Sequence, residues 1–470
     1  MGLLVVKFGG TSVGSADAIR QAAAITAGLT ADHGRVVCVV SAMSGVTDQL
    51  LRGVRSATGG DAVTSQQIAS VLLDRHRSAA LECGMITSDG MVEVERLAGE
   101  FVALCQSVAV LREATPRVID AVASLGERMS VHLVAGALKA IGADAVPVDA
   151  MGVVVTDARF GDAAPIPEET RARARARLLP ILASGTIPVV TGYIGATADG
   201  AITTLGRGGS DYSAAIIGAA LDADEVWIYT DVDGVMTADP RLASGARVIP
   251  VLSYSEMAEL AYFGAKVLHP RTIRPAIEKG IRLRIRNTFK PEHPGTLVVT
   301  EPQPATGTVK AVTVVGNLSL ITVEGRGMVG VPGIAARTFG AVARVGANVL
   351  MISQASSEQS ICFVVPEPSA EPVVKALEDG LALELHRRDI DRVWSQNKIA
   401  IVSAVGAGMR GTPGVASRIF GALGQSHINI IAIAQGSSEC SVSMVVAETD
   451  AHAAVRQIHD LTAGLWTPGS

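Results

Sequence analysis

Leu3-Leu4-Val5-Val6-Lys7-Phe8-Gly9-Gly10-Thr11-Ser12-Val13-Gly14 decides how the rest of the chain is read. A short apolar run carrying one lysine meets a Gly-Gly turn. An Ala/Ile pattern of helical period follows, from Ala16 to about Thr30. Such a run reads as a buried first strand leading into a helix, and it is too short for the apolar segment of a signal peptide. Glycines at the strand's end let backbone N–H groups approach a polyanion, and the helix N-terminus adds a favourable dipole. A Gly-Gly turn alone is as readily structural, and it is Lys7, a full positive charge, that turns the reading toward phosphate. The spacing is not that of a Walker A loop, because GxxxxGK[ST] is absent.

The same punctuation continues. Val36–Ser41, Ala145–Val148, Ile187–Thr191, Val226–Thr230 and Arg282–Arg286 read as strands. Thr64–Glu82, Met91–Arg112 and about Glu127–Ile141 read as helices. Strands separated by helices predict βαβ units and a mainly parallel sheet, ending near Val299. With 470 residues the chain has material for about three domains. Hydrophobic residues make up 48% and charged residues 18%, enough apolar side chain for large cores and against disorder. The net charge of −5 gives no global attraction to nucleic acid or membrane. No charge-free apolar stretch approaches the ~20 residues of a membrane helix. The cysteines (Cys38, Cys83, Cys105, Cys362, Cys440) are odd in number and far apart, with no CxxC. Neither a disulfide framework nor a structural zinc site is supported, and a reducing cytosol fits.

Residues 300–308 (TEPQPATGT) read as a linker: two prolines, turn formers and no large apolar side chain. Beyond it lies an internal repeat. Gly325-Arg326-Gly327-Met328 recurs as Gly406-Ala407-Gly408-Met409, Pro332-Gly333 as Pro413-Gly414, and Phe339-Gly340 as Phe420-Gly421. Asn348 recurs as Asn429, Gln354 as Gln435, and Ser356-Ser357-Glu358 as Ser437-Ser438-Glu439, all at one constant offset. These are two copies of one unit, each reading strand, glycine turn, helix, strand, turn, strand, helix. A closing strand is expected near Leu383–His386 in the first copy. The second copy ends on a helix, Ala451–Ala463, without one. The run Val309–Gly316 is expected to complete the second copy's sheet, which would nest one small domain inside the other. The domains predicted are residues 1–299, a linker over 300–308, a first small domain over 309–397 with its leading strand, and a second over 398–470.

Other segments carry chemistry. Thr204-Leu205-Gly206-Arg207-Gly208-Gly209-Ser210-Asp211 is a second glycine-rich turn, ahead of an Ala-rich helix from Tyr212 to Leu221. Arg207 suits a carboxylate held by two parallel hydrogen bonds, while the plainer alternative is a polar loop with Ser/Asp capping the helix. Thr230-Asp231-Val232-Asp233-Gly234-Val235-Met236 is not a calcium loop, since Met236 stands where an EF-hand needs glycine. It reads as a Pro-terminated turn or a nucleotide-facing loop. Gly325–Gly330 and Gly406–Gly411 match GxGxxG, but neither is followed by the acidic residue of a dinucleotide site, and each unit is too small for a Rossmann half. Arg171, Arg173, Arg175 and Arg177 spread around a solvated helix instead of forming an anion stripe. His269, ahead of Pro270, reads as structural.

Lys7–Ser12 (KFGGTS), Thr204–Asp211 (TLGRGGSD), Thr230–Gly234 with Asp239–Arg241, and Phe263–Pro270 (FGAKVLHP) together resemble the aspartokinases. The likeness covers nearly the whole chain, and the duplicated tail resembles paired ACT domains. It implies an α/β fold: an amino acid kinase fold, a mainly parallel sheet sandwiched by helices, then two ferredoxin-like βαββαβ ACT domains. The implied activity is transfer of the ATP γ-phosphoryl group to the β-carboxylate of L-aspartate, the first step of the lysine, threonine and methionine pathway. By motif, Lys7, Phe8, Gly9 and Gly10 face the ATP phosphates, and Thr230, Asp231, Met236, Arg241, Lys266 and Val267 line the nucleotide site. Many relatives have tyrosine where Met236 stands, so this chain offers apolar contact there. Ser41, Thr47, Glu127, Arg207, Gly208, Gly209 and Ser210 face aspartate.

No covalent nucleophile is needed, because the substrate carboxylate attacks directly; catalysis is positioning plus charge stabilisation. Lys7 and Lys266, with Mg²⁺ bound on the nucleotide and no metal site of the protein's own, neutralise the transferring group. Arg207 clamps the α-carboxylate, Glu127 pairs with the ammonium, and Asp211 orients Lys7 or the metal. The ACT pair implies a small amino-acid inhibitor met by Asn348, Gln354, Asn429 and Gln435, threonine being favoured and lysine the alternative. The plainer reading of those four is that they cap turns. A monofunctional cytoplasmic homodimer or dimer of dimers is expected. Competing readings are a kinase of the same fold acting on glutamate, acetylglutamate or UMP, and a non-catalytic amino-acid sensor.

Overall fold

In a computed structural model of the chain, the structure describes residues 2–85, 89–264, 268, 270–301, 309–328, 331–354 and 359–463. Two compact units emerge, and their boundaries are not contiguous in sequence. The first is Met1–Val235 with Val248–Tyr254 and Val267–Glu301; the second is Met236–Arg247 with Ser255–Lys266 and Pro302–Ser470. Of the linker, residues 302–308 lie outside the described residues.

The first unit is built on β1 (Leu3–Phe8), every residue of which is buried. Its near-continuous apolar text suits a parallel strand covered on both faces. Ser15 caps α1 (Ala16–His33) by accepting from the Ala18 amide. Next come β2 (Arg35–Val40), α2 (Val46–Thr58), α3 (Val63–Glu82), α4 (Asp89–Leu111) and α5 (Pro116–Ala140). Helix α5 begins well before the expected Glu127. Thr115 caps it, and Pro116 stands at its first position, where a missing N–H costs nothing. Then follow β3 (Ala145–Val148), α6 (Pro167–Ala183), β4 (Ile187–Thr191), β5 (Ile194–Ala196), β6 (Ile202–Thr204), α7 (Gly209–Leu221) and β7 (Glu225–Thr230). The unit ends with β8 (Val251–Ser253), α9 (Pro270–Glu278), β9 (Arg282–Asn287) and β10 (Thr296–Val299); α8 (Tyr254–Tyr262) leads away from β8. Chain order thus numbers α8 before α9.

The strands form one sheet in the order β3-β4-β2-β1-β7-β9-β10-β8, parallel throughout except between β9 and β10. Phe8 pairs across with Val40 of β2 and Tyr229 of β7, and Val40 pairs with Thr191 of β4. The carboxyl ends of four strands are therefore level. Crevices outside such ends are where parallel α/β sheets bind ligands. The main core lies under α1–α5, with Phe8, Ile19, Leu50, Leu72, Phe101, Leu125 and Met129 fully buried. Helix α6 carries the arginine run as expected of a solvated helix: Arg171 and Arg175 both pair with Asp222.

The second unit's sheet runs β12-β13-β11-β14-β16-β15. Its strands are β11 (Ala311–Glu324), β12 (Met351–Gln354), β13 (Ser360–Pro366), β14 (Arg392–Val405), β15 (Ala432–Ala434) and β16 (Ser441–Ala447). Its helices are α10 (Ile334–Arg344), α11 (Ala370–Gly380), α12 (Ala382–Arg387), α13 (Val415–Gln425) and α14 (Ala451–Ala463). β11 and β14 are shared by both repeats. Ala311–Val315 pairs antiparallel with Val405–Ile401 and completes the second copy's sheet, so the nesting is real. The register then shifts between Val315 and Leu318, and Leu320–Glu324 pairs with Gln396–Arg392. The closing strand of the first copy is therefore Arg392–Gln396 and not Leu383–His386, which lies in α12. The expected strand fails because Leu381 and Leu385 sit one helical turn apart and both pack on the first copy's core. Arg388, at φ 61°, ends that helix.

Candidate active site

Strand β1 ends in a cation held by an anion. Lys7 Nζ lies 2.6 Å from Asp211 Oδ1, and both side chains are almost fully buried. Asp211 stands in the first turn of α7, where the helix dipole favours a carboxylate. The turn ahead of α7 needs its glycines: Gly206 and Gly208 adopt φ of 74° and 72°. A Cβ on Gly209 would meet the Tyr193 ring at 2.5 Å. A Cβ on Gly9 would meet Lys7 Nζ at 3.3 Å, so the bare backbone there leaves room for the ammonium group.

These groups line one cavity of about 650 Å³, together with Ser41, Thr47, Leu51, Glu127, Gly161, Tyr193, Gly206, Arg207, Gly208, Gly209 and Ser210. The carboxyl ends of β1, β2 and β4 and the N-termini of α2 and α7 supply its walls. All seven residues expected around aspartate line this space, as do Lys7 and Asp211. Arg207 is exposed and has no ion-pair partner among the described residues.

Glu127, on α5, is the unusual member. It is 4% exposed, and its Oε2 has no hydrogen-bond partner. Burial pushes its carboxyl up to about 8, although the Ala42 amide, its own amide and the charge of Lys7 pull the other way. A buried carboxyl with an open oxygen, facing a cavity, is poised to receive a cation.

Sequence reading missed three supports of this cavity. Tyr193 holds a left-handed backbone at φ 68°, fixed by its amide donating to Ser213 Oγ and its carbonyl accepting from Leu205. Asp120 is buried and accepts from the Gly161 amide and from both the amide and hydroxyl of Thr204 at 2.8–2.9 Å. It thereby ties two cavity walls to α5. Arg75 of α3 reaches backbone carbonyls beside the cavity. None of the three stood out in the sequence, and the expected helix from about Glu127 left Asp120 outside it.

The expected nucleotide residues divide. Thr230 ends β7, beside β1, Asp231 follows it, and Thr230 Oγ1 donates to the Asp231 carboxylate. The Phe8 ring is fully buried and stacked 5.0 Å from Tyr229, so what Phe8 offers a nucleotide is its backbone. Met236 and Arg241 belong to the second unit, where Arg241 pairs with Asp239 at 2.6 Å. Lys266, Val267 and His269 lie outside the described residues. In the second unit, Gln435 lines a cavity of about 310 Å³ with Met409, Thr412, Pro413 and Glu439. Asn348, Gln354 and Asn429 are exposed and are not among its lining residues. Among the described residues no group of three His, Cys, Asp or Glu side chains is arranged to hold a metal. No described helix is long and apolar enough to cross a membrane.

Comparison with known proteins agrees with this geometry. The amino acid kinase family model matches residues 2–287, and an ACT domain model matches residues 321–381 and 402–461. A bifunctional aspartokinase/homoserine dehydrogenase of Arabidopsis thaliana is 37% identical over 99% of this chain and 52% of its own length. The chain thus spans about half the length of such bifunctional relatives. Aspartokinase 3 of Arabidopsis thaliana is 34% identical over 97% of this chain and 80% of that protein. Among solved structures, E. coli aspartokinase III in complex with aspartate and ADP aligns with a TM-score of 0.79 at 31% identity. That alignment covers 98% of this chain and 99% of the other. A second structure of that enzyme, with lysine and aspartate, aligns with a TM-score of 0.77. By the match of the kinase unit, the paired ACT modules and full-length likeness to solved relatives, the chain belongs to the aspartokinases of the amino acid kinase family.

Proposed function

We propose that this chain transfers the γ-phosphoryl group of MgATP to the β-carboxylate of L-aspartate, giving 4-phospho-L-aspartate and ADP. The observation that carries the reading is the single cavity that joins a Lys7–Asp211 pair, the unpartnered carboxyl of Glu127 and the free guanidinium-bearing loop at Arg207. Its groups complement the reactants in order: a cation for phosphate, a carboxyl that an arriving ammonium ionises, a cation for the α-carboxylate.

In this mechanism a β-carboxylate oxygen attacks the γ-phosphorus. The new O–P bond forms as the bond to the β,γ-bridging oxygen breaks, and the electron pair leaves with ADP. The attacking carboxylate is already ionised near neutral pH, so no general base is required. Asp211 holds Lys7 over Gly9, where the ammonium offsets charge on the transferring group. Gly9, Gly10, Thr230 and Asp231 face the nucleotide through the turns at the ends of β1 and β7. By the family motif alone, Met236, Arg241, Lys266 and Val267 are further candidates for contact with the nucleotide. Ser41, Thr47 and Gly208–Ser210 seat the amino acid, with Arg207 on its α-carboxylate and the Glu127 carboxylate on its ammonium.

The paired ACT modules support feedback inhibition by a small amino acid, with Gln435 on a cavity of suitable size and Asn348, Gln354 and Asn429 as candidates outside that cavity. Threonine is the favoured effector, and the lysine complex of the E. coli relative makes lysine the alternative. The reading carries with it a cytoplasmic protein acting as a homodimer or dimer of dimers. The test is ATP consumption with L-aspartate against L-glutamate as control. Consumption that depends on aspartate supports the reading. Equal rates with glutamate, or none with either, overturn it.

A further inference from the structure

Two loops face each other beside the cavity: the phosphate turn after β1 and the substrate loop, residues 41–47, after β2. They touch backbone to backbone, with the Ser44 amide donating to the Gly10 carbonyl at 3.2 Å. One side chain outside the cavity holds both. Arg75 Nη1 donates to the Ser44 carbonyl at 2.8 Å, and Nη2 donates to the Gly14 carbonyl at 2.9 Å. We propose that Arg75 is a positioning residue: its guanidinium clasps the two loops and fixes the distance between phosphoryl donor and acceptor.

The anchor is stiff. Arg75 projects from α3, whose Ile68, Leu72, Ala79 and Ala80 are built into the main core. The next residue, His76, is buried, with its Nδ1 bonded to the Leu72 carbonyl. The clasped carbonyls sit at decisive points. Gly14 closes the phosphate turn just ahead of α1. Ser44 precedes Gly45, at φ 78°, which sets the direction of α2 and therefore of Thr47 in the cavity. Packing in the turn is close, since a Cβ on Gly14 would lie 2.9 Å from the Gly10 carbonyl and 3.3 Å from Ser44 Cβ. Arginine suits the role because its planar fork presents separate N–H groups to two acceptors; lysine offers one point charge on a flexible stem.

The inference rests on the kinase reading for its catalytic consequence, and two measurements keep the two apart. Arg75→Met keeps length and packing but removes the donors, while Arg75→Lys keeps the charge. Misplacement of reactants by about 1 Å costs up to 10²-fold in rate, so Arg75→Met is expected to lower kcat about 30-fold. KM for ATP and aspartate should stay within about threefold, because no substrate contact is lost. Arg75→Lys should recover only part of the rate, and millimolar guanidinium should partly restore an Arg75→Ala variant. Hydrogen exchange gives a readout independent of activity. Peptides covering residues 9–15 and 41–47 should exchange faster in Arg75→Met, with α3 and α5 unchanged. Unchanged exchange in those loops, or exchange raised throughout the first unit, overturns the clasp. So does a kcat equal to that of the parent chain. A parent chain without aspartate-dependent activity sinks the kinase reading alone, and the exchange data then still decide the clasp.

Discussion

Helix α5 carries two buried carboxyls two turns apart, and their surroundings differ completely. Asp120 is saturated, taking three hydrogen bonds from Gly161 and Thr204. Glu127 has an oxygen with no partner and opens on the cavity. Burial raises the proton affinity of both. At Asp120 the neighbours answer that burial with fixed N–H and O–H donors, as a structural carboxyl requires. At Glu127 the answer is left to something that arrives. The contrast separates a carboxyl that builds the site from one that serves it, and the two should fail in opposite ways when altered.

The largest effect expected is at the charge that faces Glu127. Lys7→Ala removes the cation at the end of β1 and should lower kcat by about 10²-fold or more, the scale of losing one preorganised transition-state contact. Steady-state kinetics check this, and an unchanged kcat with a raised KM for ATP would reassign Lys7 to ground-state binding. Glu127→Gln is next. A hydrogen bond to a charged group is worth about 1.5–3 kcal/mol, so the KM for aspartate should rise roughly 10- to 100-fold with the KM for ATP unchanged. An equal rise in both would place Glu127 outside the ammonium subsite.

Asp120→Asn should do the reverse. An amide put in place of the carboxylate turns an NH₂ group toward at least one of the three donors, at a cost of about 1–3 kcal/mol. The urea midpoint should fall, while the KM for aspartate moves by less than about threefold. A variant of parental stability with a strongly raised KM would erase the distinction between the two carboxyls.

How much of this was legible in the sequence follows from how local each signal is. Strand β1, the turn at Gly9–Gly10 and the turn at 204–211 are short motifs whose glycines and charges announce themselves, so Lys7, Arg207 and Asp211 stood out. The nesting of the repeats was legible because Val309–Gly316 was a strand with no partner in its own copy. Arg75 and Asp120 were not legible. Each acts on backbone atoms far away in sequence, and a helix pattern records only that a polar residue faces somewhere. The same limit explains Leu383–His386: an apolar alternation of four residues fits strand and helix equally, and only the contact of Leu381 and Leu385 with one core decided for the helix. Phe8 shared a motif with Lys7, but neighbours in a strand point to opposite faces, so the lysine reached the cavity and the ring went into the core.

The finest test of the comparison is the pH dependence of stability. In the folded chain Glu127 titrates at about 8, against an ordinary value of 4.5. Between those limits the folded state binds a proton that the unfolded state has released. Glu127 therefore contributes stability that is complete below the ordinary value and is lost as pH rises to about 8. The loss approaches 1.4 kcal/mol per pH unit at most, about a tenfold change in the unfolding equilibrium. Glu127→Gln cannot titrate, so its stability relative to the parent should climb as pH rises from about 5.5 to about 7.5. Burial shifts Asp120 in the same direction, while the donors at Gly161 and Thr204 pull against it. Saturating aspartate should flatten the parent's curve, because an ammonium beside Glu127 favours its ionised form and releases the proton. Parallel urea midpoints for parent and Glu127→Gln across this range would mean that the carboxyl finds a partner in solution and that the two ends of the comparison are alike.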